Sequence, residues 1–474
     1  EIHDKDYIGM SKDTSIAYEV GTIKPGEKKE LEIAILIDEN KNISDIEDEI
    51  ERVKRIDFDK EYINTKSYWR KYVKDHNGLK IKEPENSYDE RIYEIYKRSI
   101  LLFPLLTNVD TGAIIASPEI DENFTKCGRY AYCWPRDAVF ITKAMDILKM
   151  NKETEKFYKV FCKKTQSKNG MWEQRFYTDG KLAPCWGYQV DETASVVFGV
   201  YEHYKYTKSE KFLKENLQMC EKAIDFLKRY IKDWIEPSLK NENQENQTQN
   251  SSNLKEHKYH VSYDLWEMCE GVHLYSLASI YSAFENMLKI YDILGKDISD
   301  FENNRLKQEK VEKSKKEIEK LQLEIKKYIN KYLYDEEKKS YIRNSEDKKM
   351  DISIIGAVTP FEVFKPKEKK MQNTVERINL SLRTYTGGYQ RFENDNYMNG
   401  NPWPIANLWM TLYYLETGEK KKAKETFDFV IKTAGKHYFL GEQIDNETLK
   451  PNWVIGLGWS HAMFIIVLEK YMGK

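Results

Sequence analysis

Amphipathic helical stretches dominate the chain after about residue 88. Apolar residues recur there at spacings of three and four, which places them on one face of a helix, and loops holding Gly, Pro and Trp separate the stretches. The pattern is clearest in Tyr88–Leu106, Asp137–Met150, Asp191–Tyr206, Ser209–Trp234, Glu267–Leu294, Leu306–Tyr334, Pro404–Thr417 and Lys420–Thr433. At roughly 30 to 35 residues per helix and loop, this region holds about a dozen helices. We therefore predict a mainly α-helical fold, with a count that suits a closed ring of inner and outer helices.

The residues before this region follow a different pattern. Ser15–Asp38 contains two runs with partial alternation around a Lys-Pro-Gly-Glu turn, which predicts two strands at the end of a β domain. Two strands alone are marginally stable in water. We therefore expect either that the rest of that sheet lies before Glu1 or that packing on the next domain stabilises the two strands. Residues 43 to about 77 are charged and helical, as in a connector. Asn241–Asn253 is almost entirely polar and predicts a mobile surface loop.

Charge and aromatic content indicate a neutral polar partner. Lys and Arg total 76 and Asp and Glu total 78, interspersed along the chain, and the net charge of -2 argues against binding to nucleic acid or to an anionic membrane. No apolar run reaches the ~18 residues of a membrane span. Several of the 10 Trp stand beside Gly, Pro or charged residues. Sugars would explain this placement, because a pyranose packs its C–H face on an indole.

The cysteines and the first residue bear on the cellular compartment. Six cysteines occur without CxxC pairs or regular spacing, which favours reduced thiols and, weakly, the cytoplasm; they are Cys127, Cys133, Cys162, Cys185, Cys220 and Cys269. The chain begins at Glu1 rather than Met, so we expect the true N-terminus to be missing and leave localisation open. The oligomeric state is also open.

Five groups of aromatic, charged and turn-forming residues lie at or near the starts of helical stretches. In a ring of helices the loops that lead into alternate helices gather at one end, so these segments can line one pocket. They are Gly128–Asp137, Cys185–Glu192, Tyr263–Glu267, Gly388–Asp395 with Gly400–Pro404, and Gly441–Gln443 with Trp459–His461.

In this order the motifs closely resemble glycoside hydrolase family 15, which contains glucoamylases, glucodextranases and some trehalases. The resemblance covers about residues 88 to 470 and rests on Trp-Pro-Arg-Asp, Trp-Gly-Tyr-Gln-Val-Asp-Glu-Thr, Asp-Leu-Trp-Glu, Gly-Asn-Pro-Trp-Pro, Gly-Glu-Gln and Gly-Trp-Ser-His-Ala-Met. It implies an (α/α)6 barrel with an inverting mechanism, preceded in bacterial members by a β-sandwich. The expected organisation is the end of that sandwich over residues 1–42, a helical linker over 43–87 and the catalytic barrel over 88–474.

Inverting cleavage of a glycosidic bond needs two carboxyl groups with different roles. One, protonated, donates to the leaving oxygen, and the other, ionised, activates water on the opposite face of the sugar. Glu267 follows Leu265 and Trp266, an apolar setting that would raise its pKa as an acid requires. Glu442 stands between Gly441 and Gln443 in what looks like a polar turn, where a carboxylate can stay charged. The two match the acid and base positions of the family.

The resemblance also implies the residues that bind sugar. Arg136 and Asp137 match the family's pair for the free hydroxyls of the terminal sugar, which a fixed pair of donors and acceptors can recognise. Arg391 matches another sugar-contacting arginine, and Leu265 and Gln443, beside the two acids, belong to the same site. The expected aromatic wall consists of Tyr130, Trp134, Trp186, Trp266, Trp403 and Trp459.

One position departs from the family. Many members place a second acid directly after the catalytic one, where it contacts the sugar on the leaving-group side, and here that position is Met268. We expect weaker hydroxyl recognition in that subsite. The linkage, α-1,4, α-1,6 or α,α-1,1, stays open for the same reason.

The predicted function is an inverting, exo-acting hydrolase that releases β-D-glucose from the non-reducing ends of α-glucans or maltooligosaccharides. An α-1,6-glucan or trehalose hydrolase, a disaccharide phosphorylase and a non-catalytic glucan-binding module remain alternatives. No cofactor is expected: His257 and His260 lack an acidic cluster for zinc, and no loop alternates acids as calcium loops do. Ser460 and His461 are neighbours in sequence, which does not make a catalytic triad.

Overall fold

The computed structural model describes residues 17–36, 43–120, 129–240, 261–295 and 303–473. The chain divides into two compact units, Glu1–Tyr72 and Val73–Lys474. Several positions discussed above lie outside the described residues, namely Cys127, Gly128, the loop Asn241–Asn253, His257 and His260.

The first unit contains helix α1 (Ile43–Val53) and most of α2 (Phe58–Asp75), which runs across the boundary. The described residues 17–36 form a turn, in which the Glu27 N–H donates to the Lys24 carbonyl (3.0 Å), and contain no strand. The prediction of strands in Ser15–Asp38 is therefore wrong for this part. Apolar side chains there stay exposed, Ile35 by 82%, so no packing of the kind that a strand pair needs stabilises them.

The second unit is mainly helical. Its described α-helices are α3 (Ser87–Leu106), α4 (Pro135–Ile147), α5 (Asn151–Lys156), α6 (Lys163–Thr165), α7 (Val190–Thr207), α8 (Glu210–Trp234), α9 (Glu236–Lys240), α10 (Leu274–Gly295), α11 (Asn303–Tyr332), α12 (Lys369–Ser381), α13 (Pro404–Thr417), α14 (Lys420–Thr433) and α15 (Gly458–Tyr471). A π-helix (Phe157–Cys162) joins α5 to α6, and 3-10 helices span Ile352–Ala357 and Tyr397–Asn399. Two antiparallel hairpins pair β1 (Tyr334–Asp335) with β2 (Ser340–Tyr341), and β3 (Gly441–Ile444) with β4 (Pro451–Ile455).

Six helical segments of the described chain form a closed inner ring. α4 packs against α7, α7 against α10, α10 against the 3-10 helix Ile352–Ala357, that helix against α13, α13 against α15, and α15 against α4. Outer helices cover the ring: α8 packs on α7 and α10, α11 on α10, α14 on α13, and α3 on α15. The predicted (α/α)6 barrel is confirmed.

Inner helices can be recognised by burial on every side. In α15 each residue from Gly458 to Leu468 is buried, and in α4 nearly every residue is. A helix that is apolar all round belongs inside a fold, whereas outer helices such as α8 keep one polar face. The apolar sequence after Trp453 therefore forms an inner helix of the barrel. No helix in the described ranges is long and apolar enough to cross a membrane.

The inner helices approach one another closely at Gly199 of α7. A Cβ atom at this position would lie 2.1 Å from the Tyr158 hydroxyl oxygen and 2.8 Å from Val139 Cγ1. We expect Gly199→Ala to lower the free energy of unfolding by about 1 to 3 kcal/mol, because both neighbours are buried and overpacking forces them apart. Thermal unfolding of purified protein measures the loss. Gly295→Ala is the control, since nothing lies within 4 Å of a Cβ there, and equal melting temperatures for the two variants would contradict the prediction.

Candidate active site

The predicted site residues meet in one cavity of about 590 Å³ within the second unit. All of them except Gln443 line it: Tyr130, Trp134, Arg136, Asp137, Trp186, Leu265, Trp266, Glu267, Arg391, Trp403, Glu442 and Trp459. The loops that carry them come from distant parts of the sequence. A barrel gathers such loops because the starts of its inner helices share one end.

Glu267 lies in a tight loop that precedes α10, not inside the helix that the sequence predicts from Glu267 onward. Its φ of 62° falls in the left-handed region, which is costly for a residue with a side chain. Asp264 holds this conformation: its Oδ1 accepts from the N–H groups of Met268 (2.7 Å) and Cys269 (3.1 Å), and its carbonyl accepts from the N–H of Glu267 (3.0 Å). The helix prediction is wrong here because these turn hydrogen bonds replace those of a first helical turn.

The Glu267 carboxyl has a buried environment with one aromatic donor. The Trp134 indole N–H donates to Glu267 Oε1 (2.8 Å). Burial raises the pKa of Glu267, while the positive charges of Arg136 and Arg175 and the Trp134 hydrogen bond oppose the rise. A raised pKa favours the protonated form that a general acid needs. The expected direction of the shift is therefore confirmed.

Glu442 lies in strand β3, at an irregularity of the hairpin. Gly441 pairs with Ile455 and Gln443 with Asn452, so the register shifts across Glu442. Such bulges re-aim side chains beside active sites. Gly441 allows the strands to meet here, because a Cβ on it would lie 2.7 Å from the Asn452 carbonyl oxygen.

The polar turn that the sequence suggests around Glu442 is wrong. The residue is 3% exposed, and its oxygens accept from the Tyr130 hydroxyl (2.6 Å) and the Gln443 amide (3.0 Å). Burial raises the pKa of Glu442 to about 7, while both hydrogen bonds and the charge of Arg391 oppose the rise. The carboxylate form therefore depends on three partners rather than on solvent.

Two residues of α15 hold the strand that carries Glu442. The Ser460 hydroxyl donates to the Gly441 carbonyl (2.8 Å), and the Leu440 N–H donates to His461 Nε2 (2.9 Å). Because Nε2 accepts, the ring proton sits on Nδ1 and donates to the Ser99 hydroxyl (2.8 Å). Burial lowers the pKa of His461 to about 3, so the ring stays neutral. The sequence analysis placed both residues in a segment that can line the pocket but gave them no chemical role, since contacts across about 20 residues leave no local signal.

The Arg136–Asp137 pair belongs to a buried network of charges. Arg136 Nη1 contacts Asp191 Oδ2 (2.9 Å) and Glu192 Oε1 (3.0 Å), and its Nε lies 3.4 Å from Asp137 Oδ1. Its backbone N–H donates to Glu192 Oε2 (2.6 Å). Burial raises the pKa of Asp137 to about 6 against the opposing charge of Arg136. The network fixes both side chains at the cavity wall.

Arg391 is also buried and paired. Its Nε and Nη2 donate to the two oxygens of Asp395 (2.8 and 2.9 Å), a bidentate geometry that fixes the guanidinium plane. The rings of Trp403 and Tyr397 lie 4.9 and 4.8 Å from the guanidinium carbon. The Trp266 indole N–H donates to both oxygens of Asp351 (3.0 and 3.1 Å), which fixes this tryptophan in turn.

Two predicted contacts have a different position from the rest. Gln443 does not line the cavity: its amide N–H donates to Glu442, and its carbonyl oxygen accepts from Asn401 (3.3 Å). Its place behind the carboxylate makes it a support for Glu442. Trp186 is 60% exposed, unlike the other tryptophans of the wall, and so lies where the cavity meets solvent.

The cavity contains residues that the sequence reasoning did not select. Arg175 and Tyr397 stand outside the quoted motifs, and Tyr132 lies inside one without having been chosen. Arg175 follows Gln174 in a short segment that is mostly buried. A pair of polar residues of this kind among apolar neighbours is a signal that could have identified it. Within the described ranges, no three His, Cys, Asp or Glu side chains come together as metal ligands would.

Tyr130→Phe is expected to change the pH profile of any reaction that needs Glu442 as a carboxylate. Removing the hydroxyl takes away a hydrogen bond to the charged form, so the pKa of Glu442 rises above about 7. As the pH is lowered, the carboxylate is then protonated at a higher pH than in the unmodified chain. The acidic limb of kcat/KM should move to higher pH by about one unit. Tyr385→Phe, on the exposed surface, is the control. An unmoved acidic limb would show that Tyr130 does not support the base.

A helical barrel that carries two separately held carboxyl groups in an aromatic cavity is typical of enzymes that cleave glycosidic bonds. Comparison with known proteins agrees with this class. The curated relatives include an uncharacterized glycosyl hydrolase of Methanocaldococcus jannaschii, 29% identical over 477 residues, which cover 98% of this chain and 69% of that protein. Trehalase 1 of Sulfolobus acidocaldarius is 25% identical over 136 residues, 28% of this chain and 24% of that enzyme.

The sequence model of glycosyl hydrolases family 15 matches residues 90–468, and the chain belongs to that family. Its fold is similar to a bacterial glucoamylase solved with acarbose (TM-score 0.67, 18% identity, 91% of this chain and 62% of that chain). It is also similar to the family 15 glucoamylase of Hypocrea jecorina (TM-score 0.60, 14% identity, 82% of this chain and 73% of that chain). At these identities the structural likeness shows the fold alone. The match of its sequence to the family model makes the chain a glycosidase of this family.

Proposed function

We propose that this glycosidase hydrolyses α-glucosidic bonds at the non-reducing ends of α-glucans or maltooligosaccharides and releases β-D-glucose by inversion. Glu267 is the general acid and Glu442 the general base. The observation that carries the proposal is the separate support of two carboxyl groups on one cavity: Trp134 donates to Glu267, and Tyr130 donates to Glu442. Inversion needs one carboxyl group as acid and the other as base, because the two groups act from opposite faces of the sugar.

The reaction balances with these two residues and one water molecule. Glu442 takes a proton from a water molecule as the water oxygen attacks the anomeric carbon. Glu267 gives its proton to the glycosidic oxygen as the bond between that oxygen and the anomeric carbon breaks. The products are β-glucose and a shortened chain with a free hydroxyl. At that point Glu442 is protonated and Glu267 ionised, and exchange with solvent restores both.

Recognition of the terminal sugar falls to the paired charges and the aromatic wall. Asp137 offers acceptors and Arg136 donors for hydroxyl groups, and the buried network holds both in place. Trp403 and Trp459 are buried wall residues whose indole N–H groups have no hydrogen-bond partner among the described residues. A sugar hydroxyl or a bound water would satisfy such donors. The acarbose complex of the bacterial glucoamylase agrees with a carbohydrate in this fold.

Trehalose is a second candidate substrate. It is favoured by the partial similarity to Trehalase 1 and by Met268, which stands where many family members have an acid on the leaving-group side. Without that acid, the cavity has less to select a particular linkage. The disaccharide phosphorylase is disfavoured, because a buried carboxylate at position 442 would repel phosphate.

The test is glucose release from maltotriose, isomaltose and trehalose, read by proton NMR in the first minutes. Early β-glucose from maltotriose supports the proposal. Early α-glucose would contradict inversion, and glucose 1-phosphate formed on adding phosphate would favour the phosphorylase. Release from trehalose alone would move the function to the second candidate, and binding of maltotriose without release would support the binding module.

A further inference from the structure

Arg175 is a buried cation in the wall of the cavity. It is 6% exposed, and its Nε donates to the Pro184 carbonyl (2.6 Å). Its guanidinium carbon lies 4.2 Å from the ring centre of Trp186 and 5.2 Å from that of Trp134. The carbonyl and the rings fix the guanidinium at the wall of the cavity, and the group carries further N–H donors besides Nε.

This arginine belongs to the side of the cavity that holds Glu267. Trp134 contacts both, through its ring to Arg175 and through its N–H to Glu267 (2.8 Å). Met268 follows Glu267 and lines the same cavity, and Trp186 lies at its solvent edge. A general acid must reach the oxygen of the leaving unit. If the proposed function is correct, Arg175, Met268 and Trp186 therefore face that unit.

Among the described residues, Arg175 lacks the neutralising carboxylates that Arg136 and Arg391 have. Acids neutralise Arg136 and Arg391 at ion-pair distance, whereas no carboxylate of the described residues lies within 4.0 Å of Arg175. The nearby Asp264 uses its Oδ1 for the backbone of the Glu267 loop. Glu267 must be neutral to act as an acid, and Met268 supplies no charge. In the reactive state Arg175 is therefore a cation on this side of the cavity without an ion-pair partner among the described residues.

We propose that the leaving-group subsite accepts a unit carrying an oxyanion, a carboxylate or a phosphate, and that Arg175 selects it. A planar guanidinium in the wall of a partly desolvated cavity can recognise an oxyanion through short charge-assisted hydrogen bonds. The missing acid at position 268 removes the repulsion that such a unit would otherwise meet. The substrate class is a glucoside of an acidic sugar derivative.

The sharpest test compares maltobionate with maltitol. Both join glucose by an α-1,4 bond to an open-chain unit, and they differ by a carboxylate in place of a hydroxymethyl group. We expect kcat/KM to favour maltobionate by about tenfold or more, the gain typical of one charge-assisted hydrogen bond. The preference should fall as salt is added. Trehalose 6-phosphate against trehalose forms the second arm, and it shows whether phosphate is accepted as well as carboxylate.

Variants assign the preference to Arg175. Arg175→Gln should bring the ratio of maltobionate to maltitol close to one while maltitol turnover persists, which also shows that the variant is folded. Lys181→Gln removes an exposed charge from the same segment and should leave the ratio unchanged. Met268→Glu keeps Arg175 and adds a negative charge, so the ratio should fall below that of the unmodified chain. A ratio near one in the unmodified chain, or one that survives Arg175→Gln, overturns the inference.

If the proposed hydrolysis does not occur, binding measurements can still test the leaving-group subsite. If neither compound is cleaved, dissociation constants for the same pair, measured by calorimetry on Glu267→Gln, still report the preference. The amide is neutral like the protonated acid, so Arg175 still has no carboxylate partner among the described residues in this variant. Tighter binding of maltobionate would then support the subsite without catalysis, and equal binding would overturn it.

Discussion

Glu267→Gln is expected to lower glucose release from maltooligosaccharides by about 10² to 10⁴-fold. The amide keeps the shape of the side chain and can still accept from the Trp134 indole, but it has no proton of suitable acidity to give the leaving oxygen. Fluoride leaves without protonation, so α-D-glucosyl fluoride should remain a good substrate. The measurement is kcat/KM for maltotriose and for the fluoride, side by side.

Glu270→Gln supplies the matched control for this variant. It makes the same chemical change three residues along the same loop, at an exposed position. Its kinetics should equal those of the unmodified chain. Parallel loss of both substrates in Glu267→Gln would show damage to binding or folding rather than loss of a proton donor, and undiminished maltotriose cleavage would remove Glu267 from the mechanism.

Glu442→Gln should lower both reactions together, by about 10² to 10⁴-fold. Water attacks the anomeric carbon in either case, so a good leaving group does not replace the base. The oxygen of the new amide can still accept from the Gln443 amide, and the Tyr130 hydroxyl can turn to accept from its N–H, so the substituted side chain should stay in place. Maltotriose binding, measured by calorimetry, should change little.

The control for the base is Glu447→Gln, an exposed residue in the turn of the same hairpin. It should leave both reactions unchanged. If Glu442→Gln cleaved the fluoride at the original rate, the carboxylate would have no part in activating water. The two acids can thus be told apart by their opposite responses to one substrate.

The sequence predicted a mainly helical fold with a helix count that suits a ring, because hydrophobic periodicity records which face of each helix is buried, and its resemblance to family 15 implied the (α/α)6 barrel. It predicted most of the cavity because aromatic and charged residues stood together at helix starts, as in Trp134–Asp137. It was wrong for Glu267, whose turn depends on Asp264, and for the setting of Glu442, whose burial depends on Tyr130 far along the chain. The first contact is a local turn that competes with the start of a helix, and the second is decided by tertiary structure, which a local pattern does not contain.

Arg175 shows the same limit from another side. The apolar neighbours of Arg175 in the sequence could have indicated its burial, but only the folded chain brings the rings of Trp134 and Trp186 to it. The prediction of strands in Ser15–Asp38 was wrong for a related reason. Alternating residues form a strand only when a neighbouring strand pairs with them, and the described residues 17–36 have no such partner strand within their range. The predicted division into domains stays a prediction.

The anchoring of β3 on α15 ties chemistry to the completeness of the barrel. α15 closes the ring against α4, and the same helix, through Ser460 and His461, holds the strand that bears Glu442. A chain in which α15 has not docked would lack the two hydrogen bonds that hold this strand. Closure of the ring and alignment of the candidate base are therefore coupled, and a truncation that removed α15 would lose both.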